Sequence, residues 1–106
     1  MFLGGYWEFP GGKREVGESW KACLRRELRE ELGVRVGRVR SFACLRYCYG
    51  DRSIFFKVFC CAIIGGRPRP LDATALKWVP AGRLIRYKFP PANDQLIAEL
   101  VGRAVA

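Results

Sequence analysis

The feature that most constrains this chain is a glycine loop running into an acidic helix. Residues 12–34 read GKREVGESWKACLRRELREELGV. Ser19 suits a helix N-cap, and Gly33 suits the left-handed residue that ends one, so the segment predicts a helix from about Trp20 to Leu32. Glu27, Glu30 and Glu31 then stand at i, i+3 and i+4, neighbours on one side of a 3.6-residue spiral. Three carboxylates held this close repel one another unless a cation sits among them. Hard oxygen donors select Mg²⁺, with Mn²⁺ as a substitute. At the head of this loop, Pro10-Gly11-Gly12 breaks the preceding extended segment. Adjacent glycines let backbone approach a ligand or metal, although an ordinary turn would use them too. The pattern points to a metal-dependent phosphate site, with a solvated Glu/Arg face as the competing reading.

Composition narrows the class. A chain of 106 residues, 50% hydrophobic and 13% aromatic, suits one domain with one core over residues 1–106. The longest apolar run, Val58 to Ile64, fits a buried strand and is too short to span a bilayer, so no membrane partner is expected. No secretory signal is visible. The five cysteines, Cys23, Cys44, Cys48, Cys60 and Cys61, show no Cys-x-x-Cys spacing, and histidine is absent. Zinc is therefore not expected, and a reducing cytoplasm is the simplest location. A net charge of +9 favours anionic partners, or else reflects an arginine-rich composition.

Along the chain, Met1 to Gly5 has no strand pattern and Tyr6 to Phe9 predicts a brief strand. On the helix, Trp20, Leu24, Leu28 and Leu32 form the apolar stripe, with Arg25, Arg26 and Arg29 away from it. Val36 to Tyr49 and Ser53 to Ile64 predict a hairpin closed by Gly50-Asp51-Arg52. After a Gly/Pro/Arg loop, Leu76 to Val79 predicts a short strand and Ala81 to Ile85 a single helical turn. Phe89-Pro90-Pro91 reads as extended. Asn93 or Asp94 then opens a last helix that buries Leu96, Ile97, Leu100 and Val101.

The glycine–helix segment resembles the Nudix box: Gly, five residues, Glu, seven residues, Arg-Glu-aliphatic, one residue, Glu-Glu, one residue, Gly-aliphatic. Gly12, Glu18, Arg26, Glu27, Leu28, Glu30, Glu31, Gly33 and Val34 match every position, a far more specific signal than a lone glycine motif. WEFPGGK before the box, the hairpin from Tyr47 to Arg52 and FPPAN from Phe89 to Asn93 are similar to the MutT-like branch, which removes 8-oxo-dGTP. Together these motifs span about Trp7 to Leu100.

The resemblance implies an α/β fold, an α/β/α sandwich with a mixed sheet. It implies hydrolysis of a nucleoside triphosphate to the monophosphate and pyrophosphate, with no direct nucleic-acid binding. Metal would be held by Glu27, Glu30 and Glu31 with the carbonyl of Gly11, and Arg26 would orient a box carboxylate. Glu18 would brace the loop or reach metal through water. Lys13 would meet a phosphate or stay solvated. MutT-like enzymes carry a further Glu before a Trp-bearing strand. Here that Trp is Trp78 and the matching position is Asp72, one methylene shorter, either a ligand or base or a loop carboxylate with no role. Phe9, Arg52 and Asn93 resemble the base-recognising set, alongside Gly11 and Gly12 at the substrate. Asn93 can read a purine edge with a donor and an acceptor, or can cap a helix. Arg52 is otherwise a solvated hairpin arginine.

At the front, the resemblance implies roughly two strands before Trp7, where this chain has six residues. Either the start is misassigned or this is a truncated relative; for a truncated relative, an incomplete sheet, an open base pocket and self-association through an exposed edge are the expected consequences. Two alternatives follow: a pyrophosphohydrolase for CTP or another nucleotide, and a non-catalytic Nudix-like binding module.

Overall fold

The computed structural model describes residues 1–104. The expected single unit over 1–106 therefore ends two residues outside them. The front is not strandless. Phe2–Leu3 (β1) pairs antiparallel with Tyr6–Trp7 (β2). The reversal is Gly4-Gly5, both at positive φ (64° and 87°), the backbone that two-residue hairpins prefer and that glycine supplies without strain. Met1 and Glu8 extend the ladder, each donating its nitrogen to the other's carbonyl at 2.6 Å. The signal for this hairpin was the Gly-Gly pair itself.

Trp20–Leu32 forms α1. The Ser19 hydroxyl accepts from the Ala22 N–H at 3.1 Å, and Gly33, at φ 71°, donates its N–H to the Arg29 carbonyl. This left-handed end turns the chain straight into Arg35–Tyr49 (β3). Arg52–Gly65 (β4) returns antiparallel, pairing Tyr49 with Arg52 at the turn and Arg35 with Gly65 at the far end. Register shifts between Arg35 and Ala43 are bulges, which bend a ribbon.

Leu28, Leu32, Val34, Val36 and Val39 form the main buried cluster, with Leu24, Phe59, Ile63 and Leu76 packed on it. Burying each large side chain there contributes about 1.5–3 kcal/mol. The α1 stripe is rotated from expectation. Cys23 is buried while Trp20 is 37% exposed, because Trp20 sits at the first turn beside Arg14 and Lys57 rather than over the cluster.

The remaining chain is a 3₁₀ segment at Ala81–Arg86, a 3₁₀ turn at Pro91–Asn93 and Asp94–Ala104 (α2), which buries Leu96 and Ile97 near Leu84. Both helices contact β3, as a layered α/β fold requires. Two expectations need correction. The described strands form two separate two-stranded antiparallel sheets instead of one mixed sheet. Leu76 to Val79 is not a strand: Ala75 makes an isolated bridge, and Trp78 is 78% exposed. A strand exists only against a neighbour, and among the described residues no backbone completes a ladder there.

Candidate active site

The acidic face of α1 meets the glycine loop. The Gly11 N–H donates to Glu31 Oε2 at 2.8 Å. A Cβ on Gly12 would run into the carboxylate atoms of Glu27, so any larger residue would push that side chain from its place. Cys23, buried on the same helix, points its Sγ at the Gly12 carbonyl, 3.8 Å away. The loop is thus fitted to the helix at both glycines. The structure engages the amide of Gly11, where the family resemblance implied its carbonyl.

Arg26 organises the charges. It donates to Glu18 at 2.7 and 3.0 Å, to Glu27 Oε1 at 2.8 Å, to Glu30 Oε2 at 3.3 Å and to the Lys13 carbonyl at 3.1 Å. Glu18 also accepts from the Glu15 N–H at 3.0 Å, tying the loop to the helix. Hydrogen bonds from Arg26 first, and then from the Glu15 amide, hold the Glu18 carboxyl down at about 2. The same Glu18 contact pushes the Arg26 guanidinium up, securing its charge. Glu31 behaves oppositely. Burial first, and then the negative charges of Glu27, Asp72 and Glu8, push its carboxyl up, against the pull of the Gly11 N–H.

Asp72 reaches this neighbourhood by a strap. In Arg67-Pro68-Arg69-Pro70-Leu71 the two prolines have no N–H. Arg69 and Leu71, which do, donate to the Leu32 and Glu31 carbonyls at 3.0 Å each. Those carbonyls belong to the last turn of α1, where intrahelical partners run out. The strap starts at Gly66, φ 83°, where a Cβ would lie 2.5 Å from the Gly33 carbonyl oxygen. Sequence reasoning named Asp72 but missed the strap; alternating Pro-x-Pro was its signal. It also missed Glu8, whose place three residues before Gly11 was the available hint.

The nucleobase candidates are partly gathered. Phe9 stacks on Phe89, centroids 5.1 Å apart and planes at 20°. Asn93 follows four residues later and ends the 3₁₀ turn, its N–H donating to the Pro90 carbonyl at 2.9 Å. The segment from Glu8 to Gly12 therefore touches both the ring pair and the carboxylates. Lys13 is exposed, and its carbonyl serves Arg26. Arg52 is exposed at the hairpin turn, and among the described residues no hydrogen bond or ring contact joins it to Phe9 or Asn93.

Among the described residues no three His, Cys, Asp or Glu side chains converge as a metal-holding group. Glu27 and Glu30 are drawn to Arg26 and Glu31 to Gly11. The donor chemistry nevertheless fits a hard divalent cation: the carboxylates of Glu27, Glu30 and Glu31 offer oxygens, and Glu31 has Glu27, Asp72 and Glu8 as negative neighbours. No described helix is long and apolar enough to cross a membrane.

Residues 2–100 match the family model described as NUDIX domain. An 8-oxo-dGTP diphosphatase of Buchnera aphidicola subsp. Schizaphis graminum is 35% identical over 94 residues, covering 89% of this chain and 71% of the relative. A CTP pyrophosphohydrolase of Escherichia coli K12 is 32% identical over 93 residues, covering 88% and 69%. Among solved structures, one from a study of MutT of Aliivibrio salmonicida and Vibrio cholerae superposes with a TM-score of 0.78 at 35% identity, covering 94% of this chain and 77% of that one.

Proposed function

The chain belongs to the NUDIX domain family, and from that premise we propose that it is a nucleoside triphosphate pyrophosphohydrolase. It releases the monophosphate and pyrophosphate, with 8-oxo-dGTP as its principal substrate and the cytoplasmic nucleotide pool as its setting. The observation that carries this reading is the glycine loop closed on the acidic helix, with Gly11 bonded to Glu31 and Gly12 fitted against Glu27.

Mg²⁺, or Mn²⁺ in its place, would be held by Glu27, Glu30 and Glu31, and when bound it supplies neutralisation of phosphate charge and activation of water. Arg26 holds Glu27 in orientation, and Glu18 holds Arg26. Asp72 accepts the proton from the water that attacks phosphorus as the P–O bond between the α and β phosphoryl groups breaks, leaving the nucleoside monophosphate and pyrophosphate. The Phe9–Phe89 rings and Asn93 take the base, with the Asn93 amide reading a purine edge by one donated and one accepted bond. The relative that is a CTP pyrophosphohydrolase supports a second reading, in which the base is a pyrimidine.

The test is pyrophosphate release from 8-oxo-dGTP, dGTP and CTP by the wild type and by Asn93→Ala. Losing a two-point reader should cost about 1–3 kcal/mol of selectivity, so the 8-oxo-dGTP to dGTP ratio of kcat/KM falls about tenfold. A ratio that does not move makes Asn93 only a structural residue, and CTP as the best substrate selects the second reading. A separate check is the melting temperature with Mg²⁺. A cation that binds only the folded state should stabilise the wild type by about 2.7 kcal/mol at a hundredfold excess over its Kd, and Glu31→Gln should lose most of that.

A further inference from the structure

The β3–β4 ribbon has four arginines in β3, Arg52 and Lys57 in β4, and no acid in either strand. Its register sorts these by face. Phe55 pairs with Arg46 and Lys57 with Cys44, so the two-residue period of a strand puts Arg46, Phe55 and Lys57 on one face. Arg46 lies 5.5 Å from the Phe55 ring centroid. Lys57 lies 6.0 Å from the ring of Trp20, which enters the row from the start of α1, and Arg14 covers that ring at 4.4 Å. The result is a row of two rings and three cations: Phe55, Arg46, Lys57, Trp20, Arg14. Phe55 is 60% exposed. Among the described residues the ion pairs all belong to Arg26, so the three cations of the row have no acidic partner.

Exposed rings offer flat apolar faces, and unpaired cations between them offer charge for phosphate. A free nucleotide has one base and would use one ring. A duplex stacks its bases out of reach. A second copy of this chain, also at +9, would bring like charges together. Charge and ring spacing together fit a strand of alternating bases and phosphates. We propose that this row binds a short segment of single-stranded nucleic acid, bases on Phe55 and Trp20 and phosphates at Arg46, Lys57 and Arg14. This reverses the expectation of no direct nucleic-acid binding. That expectation rested on the family resemblance, and only the strand register collects these residues on one face.

The experiment is fluorescence anisotropy with a labelled twelve-nucleotide oligothymidylate, alone or annealed to its complement, in rising KCl. The single strand should bind at least tenfold tighter than the duplex. Phe55→Ala should weaken it about tenfold, and Phe55→Leu, which keeps apolar bulk but loses the stacking plane, should weaken it nearly as much. Arg46→Glu with Lys57→Glu should weaken it further and flatten the salt dependence by roughly 0.7 log units per cation lost. Arg83→Glu, exposed on the 3₁₀ segment, should leave binding within twofold, and nucleotide hydrolysis by Phe55→Ala should match the wild type. Equal binding of duplex and single strand, an Arg83→Glu loss as large as that of the combined Arg46→Glu and Lys57→Glu variant, or no binding at low salt would each overturn the proposal.

Discussion

At the scale of single residues, the site depends on how closely backbone and carboxylate approach. Gly12 is the sharpest case. A methyl group there would collide only with the mobile end of Glu27, so folding should cost little while that carboxylate is displaced. Since a misplacement of about 1 Å can slow a positioned reaction about a hundredfold, Gly12→Ala should lower kcat by that order with a melting temperature close to wild type. Steady-state kinetics and a thermal melt on the same preparation check both halves. Glu18 gives a pH test. Its carboxyl is held at about 2 in the folded protein against 4.5 ordinarily, so it stabilises the fold above 4.5 and loses that contribution as pH falls toward 2. Glu18→Gln should therefore melt lower near neutrality, and its deficit should shrink as the pH drops through that window. The spacing of Glu18, Arg26, Glu27, Glu30 and Glu31 was legible because helix periodicity is local. That Gly11 would turn its amide toward Glu31 was not legible, because peptide orientation is set by the loop as a whole.

At the scale of elements, the strap from Gly66 to Leu71 holds Asp72 beside the last turn of α1. Two backbone donors do this, so two substitutions at one position can separate side chain from backbone. Leu71→Ala keeps the N–H that meets the Glu31 carbonyl, and Leu71→Pro removes it. The proline variant should be less stable than the alanine variant by about 1 kcal/mol, and should lose turnover that the alanine variant keeps. Comparing urea midpoints and kcat for the pair decides this, and equal values would leave the strap without a role. Elements defined by their own sequence were legible: α1 through Ser19 and Gly33, the long hairpin through Gly50-Asp51. Leu76 to Val79 was misread because it has a strand's composition without a strand's neighbour. Met1 to Gly5 was misread because two-residue strands carry almost no alternation, and only their turn marks them.

At the scale of the whole molecule, charge and cysteine set its behaviour in solution. Cys44, Cys48, Cys60 and Cys61 are exposed thiols on one ribbon, whereas Cys23 is buried under α1 and the glycine loop. Without reductant, mass measurements should show disulfide-linked oligomers that dithiothreitol reverses, and Cys23→Ser should not prevent them. The front hairpin docks just past the 3₁₀ segment Ala81–Arg86. The Trp7 N–H meets the Lys88 carbonyl at 2.7 Å, and the Trp7 and Tyr87 rings meet edge to face at 5.6 Å, across a sequence separation of 80 or more residues. By contrast, α1, β3 and β4 follow one another through tight reversals. Loop closure makes near contacts quick and distant ones slow, so the order of assembly is written into this layout. The helix and long hairpin should form the folding nucleus, and the two ends of the chain should meet last. Tyr87→Ala should then speed unfolding and leave the folding rate almost unchanged, while Leu28→Ala should slow folding.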